Sequence, residues 1–187
     1  MDIKDYISEV KSKLSDKRFH HSMCVSKEAV YLANKYGADA KSAEIAGILH
    51  DITKEATKEE HLELLNSVGY KLDRIEANSM KLWHQITGSI YCQTKLKIDN
   101  QDILNAIRYH TTGRYNMSLL EKVLFIADFT SEDRDYEDVD IIREKSRISL
   151  EDAIVYGLTY TIKDLASRNL AISTDSLAIY NQTILGE

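Results

Sequence analysis

Apolar residues recur three and four positions apart along almost the whole chain, with polar residues between them, so the sequence reads as a succession of amphipathic helices. Ile3, Tyr6, Ile7, Val10 and Leu14 predict a first helix over 2–14. A second, from Arg18 to Tyr36, gathers His21, Cys24, Val25, Ala29, Leu32 and Ala33 toward one side and stops at Gly37, with His20 turned to solvent. The next begins after Asp39, a candidate N-cap, and is expected to run through His50-Asp51. T-K-E-E at 57–60 is a capping-box pattern opening a short helix with Leu62, Leu64 and Leu65 in the core and His61 at the surface. Residues 69–78 lack periodicity and read as a surface connection. Helices follow over about 82–96 and 99–110, then one capped by Ser118 that carries Asp128 inside an apolar run. The periodicity resumes over 141–147 and 150–170, and after the short polar loop A-I-S-T-D-S it ends in a final helix.

Composition sharpens this reading. The 187 residues include seven Gly and no Pro, which favours long uninterrupted helices and an all-α fold. The length suits one domain over 1–187, with a functional core at about 18–130 and C-terminal helices over 138–187 completing a bundle. A net charge of -6 argues against a general nucleic-acid or anionic-membrane surface, so a small anionic ligand would need local positive charge. The N-terminus has early charges and no apolar h-region, and no run approaches the roughly 20 apolar residues of a membrane span. Cys24 and Cys92 lack C-x-x-C spacing and read as reduced core residues, consistent with a cytoplasmic protein.

The candidate chemistry centres on A-E-I-A-G-I-L-H-D-I-T-K-E-A-T, from Ala43 to Thr57, where an adjacent His50-Asp51 pair interrupts a buried apolar pattern. An imidazole and a carboxylate taken out of water need partners, and a metal ion serves both. Neighbouring helical residues point roughly 100° apart, so the pair can approach one ion but cannot fill its shell. His21, His84, His110 and Asp128, each within or beside an apolar pattern, can supply the remainder. Gly47 and Gly88 are expected to leave room beside these side chains. Imidazole and carboxylate donors without thiolates suit Fe, Mn, Co or Zn. Gly113 should let Thr111, Thr112 and Arg114 turn back toward His110 to hold an oxyanion. Lys54 is either a solvated charge or a phosphate contact, and Arg134 either meets phosphate or pairs with Asp133 or Asp135. Neither G-x-x-x-x-G-K-[ST] nor G-x-G-x-x-G occurs, so a glycine-rich phosphate cradle is excluded.

The order H…HD…H…H…D resembles the HD-domain metal-dependent phosphohydrolases. The motifs R-F-x-H, G-x-L-H-D-I-x-K-E, A-I-R-Y-H-T-T-G-R, S-L-L-E-K and I-A-D are similar to one branch, the YqeK-type symmetrical bis(5′-nucleosyl)-tetraphosphatases. The resemblance implies an HD-domain helical bundle and a divalent cofactor, iron by choice with Mn or Co as alternatives, as one or two ions. It implies metal ligation by His21, His50, Asp51 and Asp128, and catalytic roles for Asp51, His84 and His110. The last two would either bind a second ion bridged by Asp51 or face the phosphates. Substrate contacts would come from His21, Asp51, His84, His110, Thr111, Asp128, Arg134 and the loop Leu170, Ala171, Ile172, Ser173, Thr174 and Asp175. The implied reaction cuts diadenosine tetraphosphate, or a related dinucleoside polyphosphate, into two ADP. Alternatives are a nucleotidase, a cyclic-nucleotide phosphodiesterase, or a sensor that holds ADP or GDP without turnover. No nucleic acid or membrane partner is implied, and a homodimer is compatible with the reading.

Overall fold

A computed structural model describes residues 2–186. Among them are eleven α-helices and no strand: α1 Ile3–Lys13, α2 Asp16–Tyr36, α3 Ala40–Leu49, α4 Lys58–Ser67, α5 Arg74–Asn78, α6 Trp83–Thr94, α7 Gln101–Tyr109, α8 Leu119–Thr130, α9 Val139–Ser146, α10 Leu150–Ser167 and α11 Thr174–Leu185. The all-α expectation is met. No described helix is long and apolar enough to cross a membrane.

The helix starts follow capping chemistry. Asp39, Thr57, Asn100, Ser118 and Ser149 each accept a backbone N–H of the first turn, and Thr57 and Ser118 complete capping boxes with Glu60 and Glu121. Gly37 and Gly113 adopt left-handed backbone where a helix stops, as the sequence suggests.

The core is built where α2 lies along α3, both meet α8, and α7 packs against α3 and α8. Val25, Ala29, Leu32, Ala46, Leu49, Ile107, Val123, Leu124 and Ala127 are fully buried there. Gly47 serves this packing rather than open space beside an ion, because a Cβ at that position would stand 2.5 Å from the Ser26 Cα. The expected clearance at Gly88 is also absent: a Cβ there would make ordinary contact with the His50 carbonyl, 3.5 Å away. Cys24 and Cys92 are buried free thiols.

Three local expectations need correction. The connection over 69–78 contains α5, capped at both Asp73 and Glu76 and anchored where the Trp83 Nε1–H donates to the Glu76 carbonyl at 2.7 Å. His61 is buried, with its ring edge-on to Trp83 and its Nδ1 2.8 Å from the Thr87 hydroxyl. Leu62 is exposed and only Leu65 of its trio is buried.

Candidate metal centre

α3 ends at Leu49, so His50 and Asp51 do not continue it as the periodicity predicts. His50 caps the helix and Asp51 opens a tight turn, closed where the Lys54 N–H donates to the Asp51 carbonyl at 2.8 Å. The turn swings Asp51 across the ends of the neighbouring helices. There it meets His21 near the start of α2, His84 at the start of α6, His110 just beyond α7, and Asp128 late in α8.

The four imidazoles share one orientation. Nδ1–H of His50 donates to the Gly47 carbonyl (2.7 Å), that of His84 to Lys81 (2.8 Å) and that of His110 to Ile107 (2.8 Å), each three residues back. A carbonyl only accepts, so these bonds fix the tautomer and leave Nε2 as a lone pair. His21 is held differently, between two carboxylates: its Nδ1 stands 2.8 Å from Asp133 Oδ2, a carboxylate in turn held by the Ser131 hydroxyl at 2.7 Å, and its Nε2 faces Asp128. Outward N–H bonds of this kind are how metal-binding imidazoles are usually held.

All four Nε2 atoms face the carboxylates. His21 Nε2 lies 3.0 Å from Asp128 Oδ1, while His50 Nε2 is 3.6 Å from Asp51 Oδ2 and 3.9 Å from Asp128 Oδ1. His84 and His110 stand 3.3 and 3.6 Å from Asp51 Oδ1. Three overlapping trios, His21-His50-Asp51, His50-His110-Asp128 and Asp51-His84-His110, each bring ligand atoms within 4.8 Å of one another. His50 Nε2 and Asp51 Oδ1 are buried without any hydrogen-bond partner. Such orphaned acceptors are costly unless a cation answers them, so the residues present fit a divalent ion.

Electrostatics agree with ligation. Burial alone would raise the Asp51 carboxyl, yet His50, His110, Lys54 and His84 hold it well below the ordinary carboxylate range. Burial opposes the Asp128 charge likewise, and Arg134 and His21 overcome it. Burial pushes His50 down to about 4 and His84 well below the usual imidazole range, so both are neutral donors at pH 7.

Around this core the positions of the remaining candidates differ. Arg134 pairs with neither Asp133 nor Asp135: its Nη2 donates to Asp128 Oδ1 and its Nε to the Asp128 carbonyl at 2.7 Å, a third exposed beside His21. Thr111 does meet the cluster, its hydroxyl donating to His84 Nε2 at 3.2 Å while Gln85 Oε1 accepts its N–H at 3.1 Å. Arg114 turns away, gripping Glu121 with Nε and Nη2 at 2.6 and 2.9 Å, and Thr112 is buried with its hydroxyl on the Gly113 carbonyl. Those two do not form the expected oxyanion cradle. The expected loop over 170–175 is shorter, because Thr174 and Asp175 already belong to α11; the start of that helix docks beside the 111–114 turn, where the Ser176 hydroxyl donates to the Thr112 carbonyl at 2.8 Å. Burial raises the Asp175 carboxyl in the first turn of α11, against the opposing charges of Arg108 and Arg114.

The sequence reading missed Arg18 and Asp133. Arg18 Nη1 donates to Asp51 Oδ2 at 2.9 Å, and its place in R-F-x-H, one helical turn before His21, was the available signal. Asp133 sits in a polar segment with no periodicity to aim it. Arg18, His21 and Arg134, with Lys17 and Tyr136, line a cavity of about 350 Å³ over one side of the centre.

Residues 18–133 match the family described as HD domain, the class of metal-dependent phosphohydrolase that the bundle and its centre define. A protein of Halalkalibacterium halodurans named bis(5′-nucleosyl)-tetraphosphatase, symmetrical, is 39% identical over 176 residues, 94% of this chain and 94% of that one. Its namesake from Bacillus subtilis is 34% identical over 186 residues, 100% of both. A solved structure from Clostridium acetobutylicum, described as a predicted HD superfamily hydrolase involved in NAD metabolism, superposes with a TM-score of 0.96 at 33% identity, covering 100% of this chain and 99% of that one. The chain belongs to the HD-domain family and, within it, to the symmetrical bis(5′-nucleosyl)-tetraphosphatases.

Proposed function

We propose that this chain hydrolyses diadenosine tetraphosphate and related dinucleoside polyphosphates at the central anhydride, releasing two ADP. The observation that carries the chemistry is the gathering of four Nε2 atoms and two carboxylates into three overlapping trios, with His50 Nε2 and Asp51 Oδ1 buried and without a hydrogen-bond partner. The names borne by relatives that align along the whole chain carry the substrate.

In this reading His21, His50, Asp51 and Asp128 hold the ion, assigned as iron on the family resemblance, with Mn or Co able to replace it. An ion held there would supply a water ionised at neutral pH and would offset charge growing on the phosphoryl oxygens. The chain's own residues do the rest. The three backbone carbonyls keep His50, His84 and His110 in the liganding tautomer, and Asp133 orients His21. Arg134 and Arg18 lie on the ligand carboxylates with side chains about a third exposed, so each can turn donors to a phosphate while still steadying Asp128 or Asp51. His84, His110 and Thr111 face the bridge from the opposite side. The 170–175 segment, tied to that side through Ser176, walls one nucleoside. Gripping one ADP half as far as its second phosphate puts that phosphorus at the centre and lets the other half leave as ADP. A cytoplasmic setting accords with the two buried free thiols.

The test is a substrate panel on metal-stripped protein reloaded with Fe, Mn or Co. Diadenosine tetraphosphate should yield ADP alone, only in reloaded protein. AMP with ATP, or preferred turnover of a monophosphate or cyclic nucleotide, contradicts the proposal, and tight nucleotide binding without turnover makes the chain a sensor.

A further inference from the structure

A dinucleoside tetraphosphate has two equivalent ends, whereas the 170–175 segment walls only one nucleoside. A bridge of four phosphates cut at its middle extends from the centre in both directions, so the second nucleoside has to lie across the centre from His84, His110 and Thr111. What the fold offers there is the cavity of about 350 Å³ between the first turn of α2 and the connection from α8 to α9. Its inner wall, His21 and Arg134, also borders the centre through Asp128, so the two spaces adjoin. Ligand pockets run from roughly 300 to 1,000 Å³, and a cavity at the lower end of that range suits one nucleoside end rather than a whole dinucleotide.

The lining has the chemistry of such an end. Two of its three carboxylates are already spent: Glu55 accepts the Ser15 N–H and hydroxyl at 2.6 and 2.7 Å, and Asp133 accepts from Ser131 and faces His21. Lys17 is exposed and forms no ion pair, which leaves its charge for a ligand. Tyr136 supplies a flat wall that is fixed in advance, its hydroxyl donating to the Phe129 carbonyl at 2.9 Å and its ring 5.5 Å from that of Tyr160. An aromatic ring held in this way stacks a base at little cost in side-chain ordering. Asp135 beside it, the lining carboxylate without a hydrogen bond, is free to accept from ribose hydroxyls.

We propose that this cavity seats the leaving ADP half, with Lys17 on its phosphates and Tyr136 against its base, so that the protein recognises both ends of a dinucleoside tetraphosphate. The inference rests on the reading of central cleavage above. It gives two-ended substrates an advantage over mononucleotides that a grip on one half does not provide.

Two substrates with the same four-phosphate chain separate the ends. Diadenosine tetraphosphate carries a nucleoside at each end and adenosine tetraphosphate at one; central hydrolysis gives two ADP from the first, and ADP with pyrophosphate from the second. The ratio of their kcat/KM values should favour diadenosine tetraphosphate in the wild type and fall roughly tenfold or more in Tyr136→Ala, the loss expected for one stacked base. Tyr136→Phe should keep the wild-type ratio. Disorder in the α8–α9 connection would lower both values alike, so the ratio reports the seat, and an unchanged ratio in Tyr136→Ala overturns the proposal. Lys17→Ala should lower both values about three- to fivefold, as for an exposed charge contact to phosphates that both substrates carry; no change in either contradicts the phosphate placement. Binding without turnover supplies a second readout. By calorimetry, a diadenosine tetraphosphate analogue with methylene in place of the central bridging oxygen should bind roughly tenfold or more tightly than the matching one-ended analogue, and Tyr136→Ala should erase most of that difference. Equal affinities in the wild type overturn the proposal. AMP and ATP as wild-type products would instead overturn central cleavage, and the calorimetric comparison would still decide the seat.

Discussion

Two buried carboxylates, about equally removed from water, are treated in opposite ways by this fold. Glu121, at 1% exposure, is fully answered: Arg114 grips both oxygens, and the Ser118 N–H donates to one of them at 2.7 Å. Asp51, at 2%, has Arg18 on one oxygen, while the other makes no hydrogen bond and lies among the Nε2 atoms of His84 and His110 with the Lys54 ammonium 3.6 Å away. A carboxylate that meets its donors closes a structural joint. One with an oxygen left unbonded among imidazole acceptors marks a place built for cations.

The widest separation between the two should come from deletion. Asp51→Ala, or His50→Ala, should abolish bound metal and hydrolysis together while the helical circular dichroism largely survives, because removing an acceptor relieves the crowding in the apoprotein. Stoichiometric metal in either variant would remove the distinction. Glu121→Ala should do the reverse. Leaving Arg114 and the start of α8 unpaired should cost about 3 kcal/mol, a fall in Tm of roughly 6–12 °C, with metal content unchanged. An unaltered melting temperature would show that the joint contributes little.

Arg134→Ala lies between these extremes, since its guanidinium touches a proposed ligand, Asp128. Loss of a charge-assisted contact to phosphate should lower kcat/KM by about 1.5–3 kcal/mol. Freed of its clamp, Asp128 should also hold the ion less tightly. An unchanged kcat/KM at saturating metal would confine Arg134 to positioning Asp128.

The smallest effect concerns His61, which burial keeps neutral. Burial lowers its pKa in the folded chain, so the unfolded chain takes up a proton first as pH falls. Its contribution is complete above about pH 6.5, the unfolded value, and declines as pH drops toward the folded one. Urea melts at pH 7.5 and 5.5 should therefore show a smaller acid loss in His61→Gln than in the wild type. Equal losses would mean that His61 does not titrate differently on folding.

The same contrast explains what the sequence displays and what it conceals. His50-Asp51 stands out because a charged pair breaks an apolar pattern, and Asp128 does so within α8, so both are visible along the chain. His61 is concealed because its partners, Trp83 and Thr87, belong to a helix that periodicity cannot orient against α4. Asp133 and Arg114 lie outside regular helix, where aim depends on the turn, and one turns to His21 while the other turns to Glu121. Gly47 misleads for a related reason: spacing places it a turn before His50, whereas only packing reveals Ser26 against it. Boundaries shift where tertiary demand wins, as at Leu49, where α3 gives way to the turn that directs Asp51 inward.

Symmetric cleavage by a centre that grips one ADP half is tested most directly by hydrolysing diadenosine tetraphosphate in isotopically labelled water. The account predicts ADP as the only nucleotide product, with label in the β-phosphate of one of the two ADP molecules formed. AMP and ATP, with label on an outer phosphorus, would contradict it.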